Sequence, residues 1–205
     1  MADQDFSPTP LQKLIVILLQ RLQRELGAIE LAKMLYLIDV ERTRLLGASF
    51  TGEVYTRQAK GPLPLSFYDA VREMQGLEVR VTIKPSLGNS AYDKHCHSIG
   101  DTVRFDLALS PADELIVTRI VQRLRGRTPR ELERMAYETE PMRRILQEEA
   151  SSGTKHVGRK VDLADVTRDP KMAAWRANKA AEEIDAEYKA FLREEREEAQ
   201  RILSH

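Results

Sequence analysis

The chain has one cysteine, Cys96, so no internal disulfide can form, and a lone thiol fits a reducing cytoplasm. It has no excess of either charge. Its 32 basic residues face 32 acidic ones, which leaves no net field to draw nucleic acid or an anionic membrane from a distance. No apolar run approaches the ~20 residues that a bilayer-crossing helix needs. The opening Met-Ala-Asp-Gln-Asp also lacks the basic-then-apolar pattern of a signal peptide. Neither of the glycine-rich signatures for phosphate or dinucleotide binding occurs. Ligand-type residues cluster only at His95-Cys96-His97, where the spacing lacks the separated pairs of a zinc site and His156 is the only nearby residue to complete one. Nothing fixes a base beside Cys96 to make it a nucleophile. These absences point to a cytoplasmic protein with no metal, cofactor or catalytic turnover.

What the sequence does contain is a repeated signal for starting helices. Thr9-Pro10-Leu11-Gln12, Ser110-Pro111-Ala112-Asp113 and Thr128-Pro129-Arg130-Glu131 each place a hydroxyl cap before a proline, with an acid or amide at the third helical position. The first start opens a helix with Leu11, Leu14, Ile15, Leu18, Leu22 and Leu26 at spacings of three and four, which Gly27 should stop. A second helix, from about Ile29 to Leu46, contains Leu31–Asp39, a stretch apolar on nearly every side and therefore central. Lys33 and Asp39 interrupt it. Each either finds a structural partner or marks a rim where the helix meets a groove. Phe67, Ala70, Val71 and Met74 form the inner face of a third helix, and Leu115 to Leu124 and Leu132 to Ala136 belong to two more.

Between these helices the period changes to two. Val79, Val81 and Ile83 alternate with polar residues, as do Val103, Phe105 and Leu107, which predicts two strands joined by a polar loop over Pro85–Gly100. Two strands alone are marginal, so the hairpin should lie on the helices or pair with Glu53–Thr56. Apolar density falls after residue 148, which reads as a linker over 149–169. Asp169-Pro170 then starts a last amphipathic helix over 170–205. The expected fold is α+β and mainly α-helical: a compact helical domain over 9–148 with a small antiparallel hairpin, a linker and a C-terminal helical extension.

One constellation resembles a known family. Lys-Met-Leu-Tyr at 33–36 lies in a buried second helix, followed by Gly52, Tyr55, Arg57 and the Gly61-Pro62 turn. With the helix starts at Ser110 and Thr128, this pattern is similar to the Panacea domain of the SocA-like family, found in phage-associated and toxin–antitoxin proteins. The family commonly carries a histidine shortly before an acidic-Pro-Trp sequence; here Tyr137 and Met142 stand at the matching places. The resemblance implies binding rather than catalysis: an antitoxin that neutralises a cognate toxin protein by contact, or a related adaptor that delivers a toxin to a protease. Partner contacts would then fall on Lys33, Tyr36, Tyr55, Arg57, Gly61, Pro62 and Tyr68. In the terminal helix, Trp175, Tyr188 and Phe191 are the residues suited to lie in a partner's groove.

A reading from a different class rests on arginine. Arg119, Arg123, Arg125, Arg127, Arg130 and Arg134 crowd one helix end and the next helix start, and with a β-hairpin they suggest a DNA-binding regulator. Glu131 and Glu133 interrupt the run, and the balanced total charge argues against nucleic acid. Self-association as a homodimer is left open by the sequence.

Overall fold

The computed structural model describes residues 7–85 and 93–166, together with the helical residues Ala186, Lys189 and Ala190. In chain order the first elements are α1 (Pro10–Leu22), β1 (Leu26–Gly27), α2 (Ala28–Leu46), β2 (Tyr55–Gln58), β3 (Gly61–Pro64) and α3 (Phe67–Met74). Next come β4 (Val79–Lys84), β5 (Lys94–Ile99), α4 (Pro111–Leu124), α5 (Pro129–Tyr137), α6 (Glu140–Ser152), β6 (Lys160–Val161) and a 3-10 turn, Leu163–Val166. The architecture is α+β and mainly helical, as the residue patterns predict. No helix among the described residues is long and apolar enough to cross a membrane.

The central position of α2 follows from its residues. Every side chain from Leu31 to Val40 is buried, and the helix packs against α1, α4, α5, β3 and the 3-10 turn. All three proline-marked starts are capped as their sequences require. The hydroxyls of Thr9, Ser110 and Thr128 accept from the N–H groups of Gln12, Asp113 and Glu131. Each such cap is worth about 1 kcal/mol.

Two antiparallel sheets of three strands flank the helices, in the orders β1-β5-β4 and β3-β2-β6. The first strand of the expected hairpin stands as β4, and the sheets correct the rest of it in two ways. The partner of β4 is Lys94–Ile99, which lies inside the stretch expected as loop, with Val79 opposite Ile99 and Lys84 opposite Lys94. Residues 103–109 do alternate half-buried with exposed, but they form no ladder. Their alternation records an extended chain lying on the core, and periodicity alone does not distinguish that from a strand. Of the two supports expected for the hairpin, the helices are the one used: β5 packs on α1 and α2, and the Glu53–Thr56 segment stays apart. Tyr55 and Thr56 belong to β2, which pairs with β3 and β6.

Two boundaries also move. α1 ends at Leu22, with Gln23 in a left-handed conformation (φ 49°), well before Gly27. Gly27 instead caps α2, where the Glu30 carboxylate accepts from its N–H at 3.4 Å. The expected linker over 149–169 is, as far as residue 166, part of the fold. α6 runs on to Ser152, Gly158 and Arg159 exchange backbone hydrogen bonds with Arg57, and Val161 is buried in β6 beside Tyr55. One buried valine, backbone bonds and ion pairs such as Arg57–Glu149 and Arg144–Asp165 hold this segment, so its low apolar density misleads. The terminal helix over 170–205, apart from the three helical residues named above, lies outside the described residues.

Candidate partner-binding site

The family-like residues converge where α2 meets the β2–β3 turn and the α5–α6 corner. Near the C-terminal end of α2, Asp39 is fully buried and accepts four hydrogen bonds. The Phe50 and Thr51 N–H groups donate at 2.6 and 3.0 Å, and the Tyr55 hydroxyl donates at 2.8 Å. The Thr51 hydroxyl is the fourth donor. Burial pushes the Asp39 carboxyl up, and these donors oppose it. Tyr55 is itself pushed well up, by burial first and then by the Asp39 charge. One turn earlier on α2, Tyr36 meets Tyr55 edge to face, with ring centroids 5.2 Å apart. The Thr139 hydroxyl donates to the Ala136 carbonyl at 2.7 Å, so Tyr36 must donate to Thr139, at 2.6 Å.

Toward the N-terminal end, Lys33 is only 2% exposed. Its ammonium donates to the Lys60 carbonyl in the β2–β3 turn. Burial draws its pKa down to about 8; the Glu133 carboxylate opposes the shift, and the Arg57 and Lys60 charges add to it. Gly61, at φ 99°, is required twice over. A side chain there would be strained, and its Cβ would stand 3.0 Å from the Lys33 nitrogen. Arg57, 4% exposed, forms a two-point pair with Glu149 at 3.2 and 3.3 Å, and its guanidinium lies 5.3 Å from the centre of the Tyr137 ring. Burial alone would raise the Glu149 carboxyl, but the His156 N–H and Arg57 hold it below the usual range. Tyr137, at the place of the family's histidine, thus stacks on a buried cation, and Met142, at the place of its tryptophan, is fully buried in the core.

Of these buried groups, Lys33 and Gly61 form part of the wall of an open groove. One cavity of about 330 Å³ is lined by Lys33, Gly61, Pro62 and Leu63 among others, and a neighbouring one of about 580 Å³ extends to Lys94, Pro129 and Arg130. Ala28, Ile29, Lys60 and Tyr68 line both, so the two cavities share one boundary. Ile29 and Tyr68 are 40% and 61% exposed, which leaves apolar surface facing solvent at that boundary.

The expected contact residues therefore divide. Tyr36 and Tyr55 have no exposed surface and Arg57 almost none; as surface contacts they are corrected to supports, because their polar ends are consumed by Thr139, Asp39 and Glu149. Lys33, Gly61 and Pro62 are buried behind the groove, and Tyr68 alone of the group presents its ring outward. Trp175, Tyr188 and Phe191 lie outside the described residues. Ile29, Lys94 and Arg130 were not legible as groove residues, since each looks like ordinary helix-start or hairpin surface. Glu149 gave no signal either, because its partner Arg57 is distant in sequence.

His95, Cys96 and His97 lie in β5, where Cys96 and His97 are buried and His95 is exposed at the edge of the larger cavity. The His97 ring faces the Leu26 carbonyl at 3.2 Å, and burial lowers its pKa. His156 sits instead beside Ser152 and Arg159. Among the described residues no cluster of three potential ligands is arranged to hold a metal ion. Much of the arginine run is internally paired: Arg127 with Glu131, Arg134 with Glu138, and Arg125 with the Arg21 carbonyl.

The family model described as "Antitoxin SocA-like, Panacea domain" matches residues 31–141, more than half of the chain. The chain therefore belongs to the SocA-like Panacea family. No curated protein and no solved structure matches it.

Proposed function

We propose that this SocA-like Panacea protein is an antitoxin that neutralises a cognate toxin protein in the cytoplasm by direct binding, without cofactor or turnover. The observation that carries this reading is the match to an antitoxin family over the residues that build the groove's buried wall. A binding module needs a rigid support behind a small exposed apolar surface. Lys33, Tyr36, Tyr55, Arg57, Gly61 and Pro62 supply the support, and Tyr68 with Ile29 supplies the surface. Trp175, Tyr188 and Phe191 offer a second, aromatic contact from the terminal segment. The internal pairing of several arginines takes from the DNA-binding reading much of the basic surface it requires.

Co-expression tests the proposal. The product of the neighbouring gene is expressed alone and together with this chain, and growth and copurification are followed. Restored growth with a stable complex is the expected result. Restored growth with protease-dependent loss of the neighbour would replace simple blocking by delivery to a protease. A harmless neighbour that does not copurify would overturn the reading.

A further inference from the structure

The larger cavity carries an imbalance that the family match does not explain. Lys60, Lys94 and Arg130 line it, all exposed, and none has an ion-pair partner among the described residues. Of the acids nearby, Glu30 pairs with Arg24 at 2.5 Å, and the Glu133 charge acts on the buried Lys33. Asp93 is the remaining carboxylate of the lining. The two helix starts that border the cavity are capped by their own glutamates, Glu30 for α2 and Glu131 for α5, so its positive character comes from side chains. Those cations surround apolar surface from Ile29, Tyr68 and Pro129.

We propose that this groove receives a segment of the partner protein in which an apolar side chain is flanked by carboxylates. The apolar group covers Ile29 and Tyr68, and the acids face Lys60, Lys94 and Arg130. This assignment rests on the antitoxin reading and specifies the partner's chemistry. Charge complementarity of this kind selects partners and speeds their encounter. A nucleic acid fits less well, because it is held through many phosphate contacts and the chain as a whole carries no net positive charge.

The test has two arms, both with the full-length chain. In co-expression with the neighbouring gene's product, the triple variant K60E/K94E/R130E should lose rescue and copurification, with affinity falling by about 100-fold or more. Tyr68→Ala should weaken the complex about tenfold. A matched triple reversal at Arg123, Lys155 and Lys160, exposed and likewise without an ion pair among the described residues, should leave both intact. If the wild type rescues growth and the groove triple does so equally well, the groove assignment is overturned while the antitoxin reading stands.

If the wild type fails to rescue, the antitoxin reading has failed, and the second arm decides the groove's chemistry. A displayed library of random twelve-residue peptides is selected on the wild-type chain. Enrichment of peptides with acids around an apolar residue, which then lose binding to the groove triple, supports the assignment. Basic or uncharged winners, winners indifferent to the triple, or no enrichment overturn it. Should the triple variant fail to fold by thermal melting, K60E and Y68A each carry the same two arms.

Discussion

Lys33 and Asp39 lie on one helix, six positions apart in the sequence, and both are almost fully buried, yet their surroundings differ in kind. Asp39 accepts four hydrogen bonds and adjoins neither cavity described above. Lys33 donates to a single carbonyl, has other cations nearby, and forms part of a cavity wall. A buried charge whose hydrogen bonds are complete acts as an anchor. One with few partners beside open space marks where the fold has kept room. The difference assigns the C-terminal half of α2 to holding the domain together and the N-terminal half to shaping the groove.

The largest effect should come from the anchor. Asp39→Ala leaves the Tyr55 and Thr51 hydroxyls without their acceptor in the core, and we expect it to lower unfolding free energy by about 3–5 kcal/mol. Urea denaturation measures this directly, and a loss below about 1 kcal/mol would remove Asp39 from its anchoring role. Arg57→Ala comes next. It strands Glu149 and removes the cation from the Tyr137 ring, at an expected cost of about 2–4 kcal/mol. The same change should speed amide exchange at Gly158 and Val161, because the segment loses the Arg57–Glu149 pair, one of the side-chain ties that support its backbone bonds. Unchanged exchange there would mean that Arg57 does not hold the 149–166 segment.

That segment also shows what the sequence could and could not reveal. The helix starts at Thr9, Ser110 and Thr128 were readable because a cap, a proline and a third-position acid or amide act locally. The burial of α2 was readable from apolar residues on every side. Of the two sheets only β4 was readable, from the alternation of Val79, Val81 and Ile83; its partner and the second sheet were not, because strand pairing is a non-local choice. β5 contains Lys94, His95 and Ser98, and its place is fixed by backbone bonds to β4 and β1. The family motif correctly brought Lys33, Tyr36, Tyr55, Arg57 and Gly61 to one place. It could not tell support from surface, since burial depends on which elements close over a residue, and α5, α6 and β6 do so from far along the chain.

A smaller effect tests how tightly the Lys33 end is built. Gly61→Ala forces a side chain into a backbone conformation at φ 99° and against the lysine, at an expected cost of about 1–3 kcal/mol. In a Lys33→Ala background the contact is gone and only the backbone strain remains, so the cost should fall by about 0.5–1 kcal/mol. Strict additivity of the two changes in a double-mutant cycle would mean that the glycine serves the turn alone.

The smallest effect is the most discriminating, because it reads the contrast in charge state. Lys33 has a folded pKa of about 8 against 10.5 for an ordinary lysine, so between those values the unfolded chain binds more protons than the folded one. Stability contributed by this group therefore rises with pH across that window and is lost as pH falls through about 8. At pH 7 the folded state bears the full cost of the buried ammonium. Lys33→Met removes that cost and should stabilise the protein there by roughly 1–2 kcal/mol. Its advantage over wild type should then shrink as the pH is raised toward 10, read as converging urea midpoints. An advantage that stays constant from pH 7 to 10 would mean that the amine is solvated like any surface lysine. The two ends of α2 would then differ in their hydrogen bonds but not in their electrostatics.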